Sequence, residues 1–130
     1  MTELKLIMHV EDDPSIQVVT KVALEAVGGF SVLTCSSGQQ ALDEFANQPP
    51  QLLLLDVMMP GMDGPSTLRL LQQRYDLTDI PVVFMTAKVQ TSEIESYLAM
   101  GASGVVVKPF DPMELSNQIR QIWQNHSQRN

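Results

Sequence analysis

Short apolar runs alternate along the chain with segments of helical spacing. Five runs predict β-strands: Leu4 to Val10, Phe30 to Cys35, Leu52 to Val57, Pro81 to Met85 and the weaker Gly104 to Val107. The clearest runs, LLLLD and PVVFM, are apolar on both faces, which is typical of strands covered by helices on either side. The pattern therefore predicts a buried parallel sheet.

The segments between these runs predict five helices: Pro14 to Val27, Ser37 to Ala46, Pro65 to Arg74, Ser92 to Met100 and Pro112 to Gln124. Asp13-Pro14 and Asp111-Pro112 each have the form of an N-cap followed by proline at the first helical position. Stop signals stand at Gly28-Gly29, Asn47 to Pro50 and Met100-Gly101. Because βα units with short connections use right-handed crossovers, we expect an α/β fold with a doubly wound five-stranded parallel sheet.

The composition is that of one globular domain. The 130 residues are 44% hydrophobic and 18% charged, which excludes disordered and collagen-like chains. This length fits one domain, since roughly 150 residues per domain is usual. The stretch after Trp123, QNHSQRN, is polar and is expected to fray.

The net charge and the cysteine content exclude several kinds of partner, metal site and cellular location. A formal net charge of -7 has the wrong sign for a phosphate backbone, so direct nucleic-acid binding is not expected. Cys35 is the only cysteine, which excludes an internal disulfide or a thiolate-rich metal site and favours a reducing compartment. No apolar run approaches the roughly 20 residues of a membrane span, and carboxylates stand where a signal peptide would be apolar. We expect a cytoplasmic protein without a membrane partner.

Polar residues follow four of the five predicted strands. They are Glu11, Asp12 and Asp13 after the first, Asp56 at the third, Thr86 at the fourth, where Ala87 follows, and Lys108 after the fifth, where Pro109 and Phe110 follow. In such a fold ligands collect outside the carboxyl ends of the strands. We therefore expect these side chains to form one site.

The residue types in this site predict phosphoryl chemistry with a metal ion. Clustered carboxylates repel one another unless a positive group lies among them, and oxygen ligands without His or Cys select Mg²⁺, or Mn²⁺ in its place. Asp56 would then be the carboxylate nucleophile that attacks phosphorus. Lys108 and the cation would bind the equatorial oxygens, and Thr86 would donate its hydroxyl to another oxygen.

Four blocks of this sequence resemble the signature blocks of response-regulator receiver domains in two-component signalling, of the chemotaxis-Y-like type. They are VEDDP, LLLLDVMMPGMDG, PVVFMTA and GVVVKPF, and they cover nearly the whole chain in family-like order and spacing. The resemblance implies a flavodoxin-like fold of five βα units with strand order 2-1-3-4-5. It also implies a receiver domain over residues 1–126, followed by a frayed polar tail over 127–130.

The resemblance assigns the phosphoacceptor and the metal ligands by position. It implies that Asp56 is phosphorylated and that Asp12 binds the metal directly. Glu11 corresponds to the second acidic position, which is usually linked to the metal through water. Met58 corresponds to the residue whose backbone carbonyl is a metal ligand.

It assigns the switch residues in the same way. Thr86 corresponds to the switch hydroxyl, and Ala87 to the small residue that leaves room beside it. Lys108 corresponds to the lysine that binds the phosphoryl group. Pro109 corresponds to a proline preceded by a cis peptide bond, an isomer that is cheap only before proline.

Two features depart from the family pattern. Receiver domains usually carry Tyr or Phe three residues before the lysine, and here that position is Val105, which indicates an atypical switch. Met58 and Lys88 occupy the positions that tune dephosphorylation. An apolar Met58 does not orient water, whereas Lys88 is placed to reach or shield the phosphoryl oxygens, so the phosphoryl lifetime stays open.

The expected function is a phosphorylation-dependent switch. A histidine kinase or a phosphotransfer protein would supply the phosphoryl group, and the chain would catalyse only its own phosphorylation and dephosphorylation. The output would pass to a downstream protein through the fourth helix, the fifth strand and the fifth helix, where Tyr97 is the evident exposed aromatic residue. Whether the receiver stands alone or is a module of a larger regulator or hybrid kinase stays open.

Two other functions are disfavoured by particular positions. A haloacid-dehalogenase-type phosphatase also uses an aspartyl nucleophile with Mg²⁺, but it places a second Asp where this chain has Met58. A flavin- or nucleotide-binding domain of the same topology would need a glycine-rich turn after the first strand, where VEDDP stands instead.

Other polar and soft side chains are interpreted as structural. Asp13 is expected to cap the first helix, and His9 to pack within an apolar strand. Cys35, Met8 and Met85 are expected to lie in the core.

The loop after the third strand is interpreted as an adaptable surface. Met58, Met59 and Met62 are expected to line it. Its glycines are expected to be turn residues rather than a phosphate cradle.

Overall fold

The computed structural model describes residues 2–127, which form alternating strands and helices. The strands are β1 (Leu6–Val10), β2 (Ser31–Cys35), β3 (Leu52–Asp56), β4 (Val82–Thr86) and β5 (Gly104–Val107). The helices are α1 (Pro14–Val22), α2 (Gly38–Phe45), α3 (Gly64–Arg74), α4 (Thr91–Ala99) and α5 (Leu115–Ser127). A π-helical turn over Ala23–Val27 directly continues α1.

The five strands form one parallel sheet in the order β2-β1-β3-β4-β5. β1 lies between β2 and β3, so that Val10 is opposite both Cys35 and Leu55. The strand order reverses between β1 and β3, which is where such sheets bind ligands. The predicted doubly wound α/β fold and its strand order are confirmed.

Alternate residues of each strand enter two cores on opposite faces of the sheet. Met8, Leu53 and Phe84 pack with residues of α2, α3 and α4. Ile7 and Leu54 pack on the other face, with residues of the π turn and α5. Because both faces are covered, every residue of β3 and β4 is buried, which explains the unbroken apolar runs.

Polar side chains begin three of the helices. Asp13, Ser37 and Asp63 each accept a hydrogen bond from a backbone N–H in the first turn, at 2.9, 3.1 and 2.8 Å respectively. The predicted N-cap role of Asp13 is therefore confirmed. Helix α4 differs, because Gln90 at its N-cap makes no side-chain hydrogen bond to the helix.

Helix α5 differs from the predicted helix at both ends. It begins at Leu115 rather than Pro112, and residues 112–114 form a turn in which the Asp111 carboxylate accepts a hydrogen bond from the Met113 N–H. It extends through Ser127, so the predicted fraying directly after Trp123 is wrong. The last three positions of the predicted tail lie outside the described residues.

Two predicted surface residues are buried. Tyr97 is only 7% exposed, because its ring lies on Phe84 with the ring centroids 5.1 Å apart. The expectation of an exposed aromatic contact at Tyr97 is therefore wrong. Met59 is also part of the core at 8% exposed, so only Met58 and the partly buried Met62 remain at the loop surface.

The residues interpreted as packed are buried as predicted. His9, Cys35, Met8 and Met85 have no exposed surface. Neither ring nitrogen of His9 has a hydrogen-bond partner among residues 2–127. Burial raises the pKa of the Cys35 thiol to about 11, which agrees with its interpretation as an inert hydrophobic side chain.

Within residues 2–127 there is no helix with the length and apolar character that crossing a membrane requires.

Candidate functional site

Four strand ends bring the predicted site residues to one edge of the sheet. Asp56 and Thr86 are the last residues of β3 and β4. Glu11 follows β1 directly, and Lys108 follows β5 directly. Each strand is held in register by its neighbour, so the backbone fixes where these side chains begin.

Lys108 joins two of the carboxylates. Its ammonium Nζ donates hydrogen bonds to Oδ1 of Asp56 at 2.7 Å and to Oε1 of Glu11 at 2.9 Å. The side chains of Asp56 and Glu11 are only 4% and 1% exposed, whereas that of Lys108 is 19% exposed. The ion pairs therefore lie at the floor of a site that opens towards Lys108.

Backbone groups and one amide hold Glu11 in place. The Asp13 N–H donates to the second carboxylate oxygen of Glu11 at 3.3 Å, and the Gln17 side chain donates to the Glu11 carbonyl at 2.6 Å. Gln17 is a site contact that the sequence pattern does not predict. Its position one turn into α1 gave no signal of this contact, which depends on how the helix lies against β1.

The three carboxylates fit a hard divalent cation. Glu11, Asp12 and Asp56 each offer an oxygen within 4.8 Å of the others, close enough to share one ion. Three ionised carboxylates and the Lys108 ammonium leave two net negative charges, which a divalent cation balances. An all-oxygen donor set is the one that Mg²⁺ and Mn²⁺ accept.

The environment shifts the ionisation of both partners of the buried ion pair. Burial, with the nearby Asp56 charge, raises the pKa of Glu11 to about 7, although the Lys108 ammonium opposes the shift. Burial works to lower the pKa of Lys108, but its hydrogen bonds to Asp56 and Glu11 outweigh this effect and raise the pKa. The site therefore keeps its ammonium charged and needs a further positive charge to ionise Glu11 fully.

Thr86 connects the site to the loop that leads into α4. Its hydroxyl oxygen is buried and accepts a hydrogen bond from the Lys88 N–H at 3.0 Å. The hydroxyl proton remains available to a new acceptor, because this contact uses only a lone pair. Ala87 and Lys88 are both exposed in this loop.

Three further predicted positions are Pro109, Met58 and Val105. The Lys108–Pro109 peptide bond is cis, as the resemblance implies. Met58 is 64% exposed, and Val105 is half-buried opposite Phe84. The role of the Met58 carbonyl stays a prediction.

The loop after β3 requires glycine at two positions. Gly61 has a φ of 75°, which favours glycine and marks a turn. A Cβ at Gly64 would overlap the carbonyl oxygen of Asp56. Helix α3 can therefore start directly against the end of β3 only because residue 64 has no side chain.

Comparison with known proteins gives sequence relatives over most of the chain. The family described as response regulator receiver domain matches residues 7–120. The chain is 39% identical over 114 residues to the DNA-binding response regulator MtrA of Mycolicibacterium smegmatis, covering 88% of this chain and 48% of that protein. It is 36% identical over 116 residues to the probable transcriptional regulator ycf27 of Porphyra purpurea, covering 89% and 46%. The chain thus spans about half the length of these curated relatives.

Solved structures show the same fold over nearly the whole chain. The chemotaxis protein CheY4 of Vibrio cholerae matches with a TM-score of 0.85 at 24% identity, covering 92% of this chain and 99% of that one. The crystal structure of a putative response regulator from Chloroflexus aurantiacus matches with a TM-score of 0.82 at 27% identity, covering 94% of this chain and 99% of that one. Since the family matches across all five strands and the strand ends gather the family's acidic, hydroxyl and lysine positions, the chain belongs to the response regulator receiver domains.

Proposed function

We propose that this receiver domain is a phosphorylation switch whose acceptor is Asp56. The observation that carries the proposal is the placement of the Lys108 ammonium on Asp56 and Glu11, beside a third carboxylate at Asp12. This arrangement provides a nucleophile and a positive charge, and it leaves an oxygen-lined position for a divalent cation. These are the parts that phosphoryl transfer needs.

The donor is a phosphohistidine on a histidine kinase or a phosphotransfer protein. A carboxylate oxygen of Asp56 attacks phosphorus, and a P–O bond forms while the P–N bond to the imidazole breaks. The electron pair of that bond stays on the imidazole nitrogen. The product is an acyl phosphate on Asp56 and a free histidine on the donor.

Residues of this chain neutralise the transferred group. Lys108 already contacts Oδ1 of Asp56, so its ammonium lies within reach of a phosphoryl oxygen carried by the same carboxylate. Glu11 and Asp12, with Asp56 and the Met58 carbonyl, would hold Mg²⁺. The ion, when bound, supplies charge neutralisation at the phosphoryl oxygens.

The phosphoryl group provides a new acceptor for the proton of the Thr86 hydroxyl. That hydroxyl accepts from the Lys88 N–H, so rotating it towards a phosphoryl oxygen changes the loop before α4. The switch then biases a pre-existing equilibrium of this loop and α4. The acyl phosphate is lost by attack of water, a step that exposed Met58 and Lys88 are placed to tune.

The donor must dock closely, because Asp56 is only 3% exposed. An apolar groove of about 310 Å³ lies beside Lys108 and is lined by Ile16, Val19, Ala87, Pro109 and Phe110. We assign donor contact to this groove, since a partner seated there would lie next to the lysine that contacts the phosphoacceptor.

The output passes to a protein through α4, β5 and α5. Leu98 and Val107 are about half-exposed on this face. The names of several relatives describe transcriptional regulators, but a net charge of -7 opposes DNA contact by this chain itself. A cytoplasmic location is part of the proposal and is supported by the single, buried thiol.

The direct test is phosphorylation by a small-molecule phosphodonor such as acetyl phosphate with Mg²⁺. Intact mass spectrometry should show one phosphoryl group on the wild-type chain and none on Asp56→Asn. Asp43→Asn, which changes an exposed carboxylate on α2, is the control and should be phosphorylated like the wild type. Stoichiometric phosphorylation of Asp56→Asn, or sustained turnover of a phosphate ester as by a phosphatase, would contradict the proposal.

A further inference from the structure

Helix α4 is held to the core by one buried side chain. Among its nine residues only Tyr97 is buried, as only Thr20 is in α1, whereas α2, α3 and α5 each bury four residues. The first turn of α4 also lacks a side-chain N-cap. The position of α4 therefore depends largely on where the Tyr97 ring lies.

The Tyr97 ring lies on the strand that carries the switch hydroxyl. It packs against Phe84 with the centroids 5.1 Å apart and the rings tilted by 48°. Phe84 is fully buried and lies two residues before Thr86, so both side chains leave β4 on the same face. The Tyr97 ring therefore packs on the same face of β4 from which the Thr86 side chain leaves.

Val105 leaves this face of Phe84 open to the helix. In the β4–β5 pair Val105 is directly opposite Phe84, and it packs against the same core. A valine is much smaller than an aromatic side chain, and the Tyr97 ring from α4 packs on Phe84 in the same cluster. An aromatic side chain at position 105 would compete with Tyr97 for the same ring.

A short loop connects the switch hydroxyl to α4. The hydroxyl of Thr86 accepts from the Lys88 N–H, and α4 begins three residues later at Thr91. A movement of Thr86 therefore displaces the first turn of α4. Phe84 stays fixed in the sheet, so such a displacement changes the contact between Phe84 and Tyr97.

We infer that the Tyr97 ring, through its contact with Phe84, couples phosphorylation of Asp56 to the position of α4, in place of an aromatic side chain at position 105. Tyr97 acts here as a positioning residue and does not touch the phosphoryl group. The inference rests on the proposed function, because it needs Asp56 to be phosphorylated.

Fluorine NMR of protein labelled with 3-fluorotyrosine tests the coupling. The chain has two tyrosines, and Tyr75 is a matched control because its ring packs on Phe45 with the centroids 4.6 Å apart. Tyr75→Phe and Tyr97→Phe assign the two resonances. On treatment with acetyl phosphate and Mg²⁺, the Tyr97 resonance should shift by more than its linewidth while the Tyr75 resonance stays in place.

Intact mass measured on the same sample distinguishes a failure of the coupling from a failure of the proposed function. A sample that carries one phosphoryl group but shows an unmoved Tyr97 resonance overturns the coupling and leaves the proposed function standing. A sample in which Asp56 gains no phosphoryl group overturns the proposed function, and the coupling with it.

Hydrogen exchange of the α4 amides provides a second readout. In Tyr97→Ala these amides should exchange about tenfold faster before phosphorylation and change no further after it, because the helix has lost its anchor. Tyr97→Phe should restore the wild-type difference, and Tyr75→Ala should leave α4 unaffected. A wild-type response of α4 in Tyr97→Ala overturns the inference.

Discussion

At the scale of single residues, the site combines charges that are stable only together. Glu11 and Asp56 are almost fully buried, and each receives a hydrogen bond from Lys108. Removing one member of such a group leaves the others desolvated without a partner, which costs more than the pair itself contributes. The residues of the site therefore also determine the stability of this edge of the sheet.

Lys108→Met removes the ammonium but keeps an apolar stem. In the absence of a divalent cation we expect the free energy of unfolding to fall by about 2 kcal/mol, because the Glu11 and Asp56 carboxylates lose their hydrogen-bond donor. Mg²⁺ should restore part of the loss. Urea unfolding with EDTA and with Mg²⁺ measures both effects.

Lys21→Met is the control, because Lys21 is exposed in the last turn of α1. It should unfold like the wild type under both conditions. An unchanged stability of Lys108→Met in EDTA would show that the ammonium does not stabilise the buried carboxylates.

His9 makes stability depend on pH in the acidic range. Burial lowers its pKa from 6.5 to about 3, with a smaller contribution from the Lys108 charge. Below pH 6.5 the unfolded chain therefore binds a proton at His9, whereas the folded chain does not bind this proton until the pH falls to about 3. Stability is retained above pH 6.5 and is lost as the pH falls, by about 1.4 kcal/mol per unit at most.

His9→Leu should remove this contribution. At pH 7 we expect it to be as stable as the wild type or more stable, since both ring nitrogens of His9 lack hydrogen-bond partners. At pH 5 its advantage should be larger. Urea unfolding of both proteins in EDTA at pH 7 and pH 5 measures the difference in stability. The pH dependence that Glu11 contributes has the opposite sign, but it is the same in both proteins and cancels in the difference. Free energies of unfolding that change with pH in parallel for the two proteins would contradict the prediction.

At the scale of elements, the close approach of α3 determines how β3 ends at Asp56. The Gly64 N–H donates to the Val57 carbonyl at 2.9 Å, so the first residue of α3 lies against the end of β3. A side chain there meets backbone, which cannot move aside without shifting Asp56.

Gly64→Ala should lower the free energy of unfolding by about 2 kcal/mol and reduce phosphorylation of Asp56, because the clash is with backbone. Gly29→Ala is the matched control. Gly29 has a φ of 77° but open space around it, so alanine there costs only about 1 kcal/mol of backbone strain. Equal stability and equal phosphorylation of the two variants would contradict this account.

The sequence predicted the elements better than their ends and faces. In α4 the apolar residues Ile94, Tyr97 and Leu98 fit one helical stripe, and spacing alone does not decide which of the last two is buried. The structure buries Tyr97 and leaves Leu98 48% exposed, because Phe84 offers an aromatic surface to the ring. The predicted start of α5 differs by three residues, because residues 112–114 form a turn ahead of the helix although Asp111 makes the same kind of contact as Asp13.

The candidate site was predictable in its members but not in all its contacts. Strand ends fix Asp56, Thr86 and Lys108, because a parallel sheet brings its carboxyl ends to one edge. The hydrogen bond from the Lys88 N–H to Thr86 depends on loop geometry. No pattern in the sequence reports such a contact.

At the scale of the whole molecule, a divalent cation should stabilise the folded chain, because the unfolded chain does not gather the carboxylates. At a Mg²⁺ concentration about 100-fold above the dissociation constant, linkage gives about 2.7 kcal/mol. Thermal unfolding should show an increase in Tm with Mg²⁺ that EDTA reverses. Asp12→Asn should lose most of this increase.

Asp43→Asn is the control for general charge effects and should keep the full increase in Tm. An equal increase in Asp12→Asn and Asp43→Asn would show that the cation acts on the overall negative charge rather than at Glu11, Asp12 and Asp56.

The two edges of the sheet carry different parts of the molecule. The strands end at the candidate site around Asp56, whereas α5 returns to the opposite edge, where the Trp123 indole N–H donates to the Thr2 carbonyl at 3.0 Å. The first and last described segments are therefore neighbours on the side away from the chemistry. A circularly permuted chain, with these segments joined by a short linker and new termini opened elsewhere, keeps every strand in the sheet, and a fluorophore or tether placed there stays clear of Asp56.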